Sequence, residues 1–166
     1  MAQIIRKSRT PAYCDVSAET LHYVLEGLLP PGQVLALNST FGILTVLKTQ
    51  GGLPQQGAMQ QFTAAELGAL LPLLTSYPHY CPYEVLMAGY YGNITEKTIT
   101  YYRNILFDAV EKHEIDMVIR PVRRILSRIR FKLRKFDMTV NSIFETGYIL
   151  RPTPLMQATL LQEHIS

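Results

Sequence analysis

The sequence of 166 residues is short of several things, and each shortage removes a class of protein. It has two cysteines, Cys14 and Cys81, too few for a disulfide framework or a tetrahedral zinc site. No run of eighteen apolar residues occurs, and the opening Met-Ala-Gln-Ile-Ile-Arg-Lys lacks a signal-peptide core, so the expectation is a cytoplasmic chain with no membrane partner. There is no Walker loop, nucleophile elbow or dinucleotide fingerprint. The four histidines are scattered without metal spacing, so neither catalysis nor a metal or cofactor is expected. There is no tryptophan, and no repeat or low-complexity tract. With 48 % apolar and only 17 % charged residues, the chain can bury a core.

The most informative shortage is local. Between Arg120 and Lys135 there is no Asp or Glu, while Arg120, Arg123, Arg124, Arg128, Arg130, Lys132, Arg134 and Lys135 all fall there. The net charge of +3 therefore conceals a division. Eight of the sixteen basic residues sit in this segment, and the other eight face thirteen acidic groups elsewhere. A smaller cluster, Arg6, Lys7 and Arg9, lies near the N-terminus. An acid-free cationic segment on an acidic body is the electrostatic footprint of a polyanion binder. The plainer alternative is a solvated helix face, although such faces usually interleave Glu with Lys.

Periodicity supplies the elements. Residues 1–14 read as a polar arm. Ser17 is placed as the N-cap of a short helix with Leu21, Val24, Leu25 and Leu28 on one face, stopped by Pro30-Pro31-Gly32. Val34–Leu37 and Phe41–Leu47 read as strands around an Asn38-Ser39 turn, with a third short strand at Ala58–Phe62. Thr63-Ala64-Ala65-Glu66 fits a capping box opening a helix with Leu67, Leu70, Leu71 and Leu74 inward, and Pro72 is expected to kink or shorten it. Pro82 suits the first turn of the next helix. A third helical region runs from about Asn93 to His113, with Ile99, Tyr102, Ile105, Leu106, Ala109 and Val110 as its stripe. That stripe either packs on the same core or serves a partner. A weaker stretch with Asp116 and Pro121 precedes the basic segment. There Val122, Leu126, Ile129 and Leu133 repeat at spacings of four, three and four, so one face is buried while the opposite face presents cations. A β-hairpin follows over 139–151, with Glu145-Thr146-Gly147 as its turn, and then an amphipathic tail, 152–166.

The order of helix, helix, basic helix and hairpin is that of a winged helix. Phe62–Leu67 with Leu70, then Cys81–Gly92, resemble the first two helices of the OmpR/PhoB-type DNA-binding domain. Val122–Leu133, VRRILSRIRFKL, is similar to that family's recognition helix, and Val140–Leu150, VNSIFETGYIL, to its wing. The resemblance covers about residues 33–151. It implies an α+β winged helix with N-terminal antiparallel strands, a helical core and a C-terminal hairpin wing. The division is then 1–32, an arm and short helix; 33–151, the winged-helix domain with a helical insertion at 93–120; and 152–166, the tail. No phosphoacceptor receiver domain is expected before it.

The resemblance further implies a bacterial-type transcription regulator reading double-stranded DNA sequence-specifically, with the helix at 121–135 in the major groove. Arg123, Arg124, Ser127 and Arg130 are candidates for the groove, with Arg128 and Arg134 alongside. Thr63, Lys132, Lys135 and Arg151 are candidates for phosphate contacts, and Phe144 to Thr146 for the backbone or minor groove. The helix at 96–113 is a candidate surface for a homodimer or for RNA polymerase. The alternatives are a winged helix used as a protein-interaction module and an architectural DNA binder without sequence preference.

Overall fold

The computed structural model describes residues 2–9 and 19–165, with side chains from Thr20 onward. The expected N-cap Ser17 and Cys14 lie outside the described residues, as do the side chains of Arg6, Lys7 and Arg9. The fold is mixed α+β.

Five antiparallel strands form the first sheet in sequence order: β1 (Ala2–Arg9), β2 (Glu19–Leu25), β3 (Val34–Asn38), β4 (Ile43–Gln50) and β5 (Leu53–Gln61). Two expectations fail here. Residues 2–9 of the expected arm form an edge strand, and residues 19–25 of the expected short helix form β2. Leu21, Val24, Leu25 and Leu28 sit at helical spacing, yet alternation decides the outcome. Tyr23 and Leu25 point to the core, and Tyr23 lies opposite Leu35, which lies opposite Val46. This cross-strand stack is non-local and overrides the local pattern. The third strand is also longer than Ala58–Phe62, starting directly after the Gly51-Gly52 turn. In the β3–β4 turn, Asn38 Oδ1 accepts from the N–H groups of Thr40 and Phe41, both at 3.1 Å. Gly42 closes it at φ +67°, where an added Cβ would lie 2.4 Å from the Phe62 carbonyl oxygen.

The sheet delivers the chain to α1 (Ala64–Thr75). Its capping box forms as expected: Thr63 Oγ1 accepts from the Glu66 N–H, and Glu66 Oε2 accepts from the Thr63 N–H at 2.9 Å. Pro72 lies within the helix without ending it. The second helix, α2 (Tyr83–Tyr91), has Pro82 as its N-cap rather than in its first turn. These two helices touch backbone to backbone at Gly68 and Gly89, where a Cβ on either would meet the other's carbonyl oxygen at 2.2–2.3 Å.

Next come α3 (Glu96–Glu111), capped by Thr95 and Thr98, and α4 (Ile115–Leu133), which runs into a 3-10 turn, Arg134–Phe136. The helix α4 starts six residues before the expected 121 and passes through Pro121. Burial of Ile119 and Val122 on either side of the proline outweighs the one lost backbone bond. The hairpin follows as β7 (Met138–Ile143) and β8 (Gly147–Pro152). A three-residue strand, β6 (Tyr80–Pro82), joins it in the order β6-β8-β7. The tail folds as α5 (Pro154–Glu163), capped by Thr153 and burying Leu160. One hydrophobic core joins the inner face of the first sheet to α1, α2, α4 and the hairpin.

Candidate nucleic-acid interface

The geometry of α4 follows from its apolar stripe. Ile119, Val122, Ile125, Leu126, Ile129 and Leu133 are buried, and this fixes the helix about its own axis. At about 100° per residue, Arg120, Arg124, Ser127, Arg128 and Phe131 fall on the opposite side. All five are exposed, as are Arg134 and Lys135 just beyond the helix. Asp116 is the single acid of α4, and it lies on a flank, where it pairs with Arg123 Nη1 at 2.9 Å. The outward arc is therefore cationic without interruption by an acid.

The structure separates the sequence candidates on and just past α4 into three groups. Arg124, Ser127, Arg128, Arg134 and Lys135 share the outward arc. Arg123 and Arg130 are tethered at its edge: Arg123 to Asp116, and Arg130 by a hydrogen bond from Nε to the Val140 carbonyl at 2.7 Å. The latter bond ties α4 to β7.

Lys132, expected as a phosphate contact, is half-buried and already has partners. Its ammonium donates to the Gln61 carbonyl at 3.0 Å and pairs with the buried carboxylate of Glu66. It also stands 5.3 Å from the centre of the Phe62 ring. Glu66 thus closes the α1 capping box and holds Lys132 at once. A carboxylate exposed by only 3 % needs such a counter-ion, because an isolated buried charge is costly. Lys132 fastens the end of α4 to the junction of β5 and α1.

The remaining candidates lie at the start of α1 and on the hairpin. Thr63 is exposed at the N-terminus of α1, beside the Lys132–Glu66 pair. Arg151 is exposed on β8 opposite Thr139 of β7. Phe144 is 86 % exposed at the hairpin tip, and Thr146 Oγ1 donates to its carbonyl at 2.6 Å. Glu145, between them, has φ +52°, as the tight reversal demands.

Two exposed apolar side chains on α4, Phe131 and Met117, are absent from the sequence candidates. The available signal was angular. Phe131 lies within roughly 10° of the point opposite the mean direction of the buried stripe. Arg120, part of the basic run but not among the candidates, is exposed on the same arc.

Among the described residues, no group of three or more His, Cys, Asp and Glu could hold a metal ion. Cys81 is fully buried, and burial pushes its thiol up to about 12, which leaves it protonated and unreactive. A cleft of about 480 Å³ opens between α2, α3 and the hairpin turn, lined by Tyr83, Leu106, Phe107, Val110 and Ile115. The charged groups at its edge, Arg103 and Glu84, are already paired at 3.4 Å. No described helix is long and apolar enough to cross a membrane. The chain matches no protein-family model, no curated protein and no solved structure.

Proposed function

We propose that this chain is a winged-helix protein that binds double-stranded DNA as a sequence-specific transcription regulator in the cytoplasm. On this reading α4 lies in the major groove and the β7–β8 hairpin is the wing. One observation carries the proposal: α4 is held by a buried apolar stripe so that an acid-free cationic arc faces outward, directly before a hairpin. A B-form major groove admits one α-helix, and arginine can pair bidentately with guanine there. Arg124, Arg128 and Ser127 are the base-reading candidates. Arg120, Arg134, Lys135 and Arg151 are the phosphate candidates, with Thr63 at the N-terminus of α1. Lys132 serves as an internal fastener.

Salt titration tests the proposal. With about five phosphates neutralised, log K against log salt should have a slope between about −4 and −5 on duplex DNA. Sequences enriched by in vitro selection should bind at least about a thousandfold more tightly than random duplex, the lower end of the range of specific binders. A flat salt response overturns DNA binding. A steep response with equal affinity for every duplex leaves an architectural binder instead of a regulator.

A second reading, protein interaction, draws on a different surface. Phe107 and Val110 of α3 are 65 % and 53 % exposed beside the cleft, which favours a protein partner there, either a second copy or RNA polymerase. It is compatible with DNA on α4.

A further inference from the structure

We infer that Phe131 is a specificity-determining residue that reads the 5-methyl group of a thymine in duplex DNA. The inference rests on the DNA-binding reading above and deepens it.

The most outward position of a helix in the major groove is the one that reaches its floor. On α4 that position is not a cation. Phe131 stands opposite the buried stripe and is 69 % exposed. Cations surround it: Arg124 about two turns back, Arg128 about one turn back, Arg134 and Lys135 about one turn ahead. The Arg134 guanidinium lies 5.5 Å from the ring centre, a cation–π contact that holds the ring in place.

A benzyl side chain offers no hydrogen bond. At the floor of the groove it leaves the polar edges of either base pair without a partner, so only an apolar group can distinguish the pairs there. The major groove has one apolar landmark, the thymine methyl, and an aromatic ring is a fitting contact for it. Neighbouring arginines would hold the phosphates or guanines on either side. Adjacent turns of a helix are about 5.4 Å apart, so the thymine would fall within one or two base pairs of those met by Arg128.

The test begins with duplexes selected by the wild-type protein, in which each thymine in turn is replaced by deoxyuridine, removing only the methyl group. The expected result is one position, or one in each half-site, where the replacement weakens wild-type binding about fourfold, the effect of withdrawing one buried methyl. Phe131→Ala, a change at an exposed site, should keep its melting temperature, bind the thymine duplex more weakly and no longer distinguish uracil from thymine. Tight, selective wild-type binding with deoxyuridine silent everywhere overturns the inference and spares DNA recognition. Stronger binding to single-stranded oligonucleotides than to duplex, lost in Phe131→Ala, also overturns it, because the ring would then be stacking on a base. Absence of any duplex binding overturns DNA recognition, and the inference with it.

Discussion

The helices α3 and α4 are neighbours of similar length, and both are amphipathic, yet they present opposite surfaces. The helix α3 carries Lys97 and Arg103 against Glu96, Asp108 and Glu111, and its charges find local partners: Arg103 meets Glu84, and Lys112, just past its end, meets Asp108 at 3.8 Å. On α4, Asp116 is the one acid beside Arg120, Arg123, Arg124, Arg128, Arg130 and Lys132; Arg123 pairs with it and Lys132 pairs with Glu66, which leaves the outward Arg120, Arg124 and Arg128 facing no acid of the helix. Mixed charges one turn apart stabilise a helix and are neutral toward solvent. Like charges on one face repel at close range, a modest cost that contributes nothing to folding and is offset only when anions arrive. The comparison separates a helix with mixed charges from one whose outward face is cationic alone, the surface on which the proposed function rests.

The largest way to break this contrast is charge reversal. Arg124→Glu with Arg128→Glu should lower duplex affinity more than a hundredfold while leaving the melting temperature within a few degrees, since both side chains are exposed. Lys97→Glu on α3 should change affinity less than twofold. Fluorescence anisotropy at one fixed salt concentration reads both. Equal losses on the two helices would erase the distinction.

A second experiment exchanges stability for affinity. Lys132→Met leaves the buried Glu66 carboxylate without its counter-ion and should cost about 2–3 kcal/mol, below the range for a fully buried pair because Lys132 is partly exposed. Arg103→Met on α3 breaks a more exposed pair and should cost under about 1 kcal/mol. Adding Glu66→Gln to Lys132→Met should recover part of the loss, because the amide oxygen can still accept from the Thr63 N–H. Urea denaturation measures all three.

The smallest effect is on pH. His79 is buried, its Nδ1 lies 2.9 Å from the Leu73 carbonyl, and burial holds its pKa below the ordinary 6.5. Below pH 6.5 the unfolded chain therefore takes up a proton that the folded chain resists, so stability is full above that pH and falls as pH drops through it. The urea midpoint should decrease between pH 7.5 and 5.5, and His79→Asn, which tolerates the φ of +63° there, should flatten that decrease. Binding by the outward arc, whose arginines stay charged throughout, should be level over the same range. A DNA affinity that tracked the stability curve would mean the arc is not independent of the core.

What could be read from the residues alone follows how local the determining contacts are. The α1 capping box lies within four consecutive residues, and the α4 stripe repeats every turn, so both were visible in order and spacing. The hairpin was visible too, from alternation around a short turn. The strand β2 was hidden because its leucines satisfy a helical spacing as well as an alternating one, and only pairing with β3 resolves the two. Three residues of β6 are too few for any period, and their role comes from β8, more than sixty positions later. The site divides in the same way. That α4 would turn its cations outward followed from its own sequence. That Lys132 would be withdrawn to Glu66, and Arg130 to Val140, depended on what folds beside them.

The bond from Arg130 to the Val140 carbonyl, together with the Lys132 fastening, has a mechanical consequence. Helix and hairpin share one frame, as the two jaws of a fixed spanner share a handle. The placement of the outward arc relative to the hairpin is therefore held by a bond inside the fold. On the proposed DNA-binding reading, a duplex would have to match that fixed placement before its sequence is read, and a variant that loosens either fastening should tolerate a wider range of duplex widths.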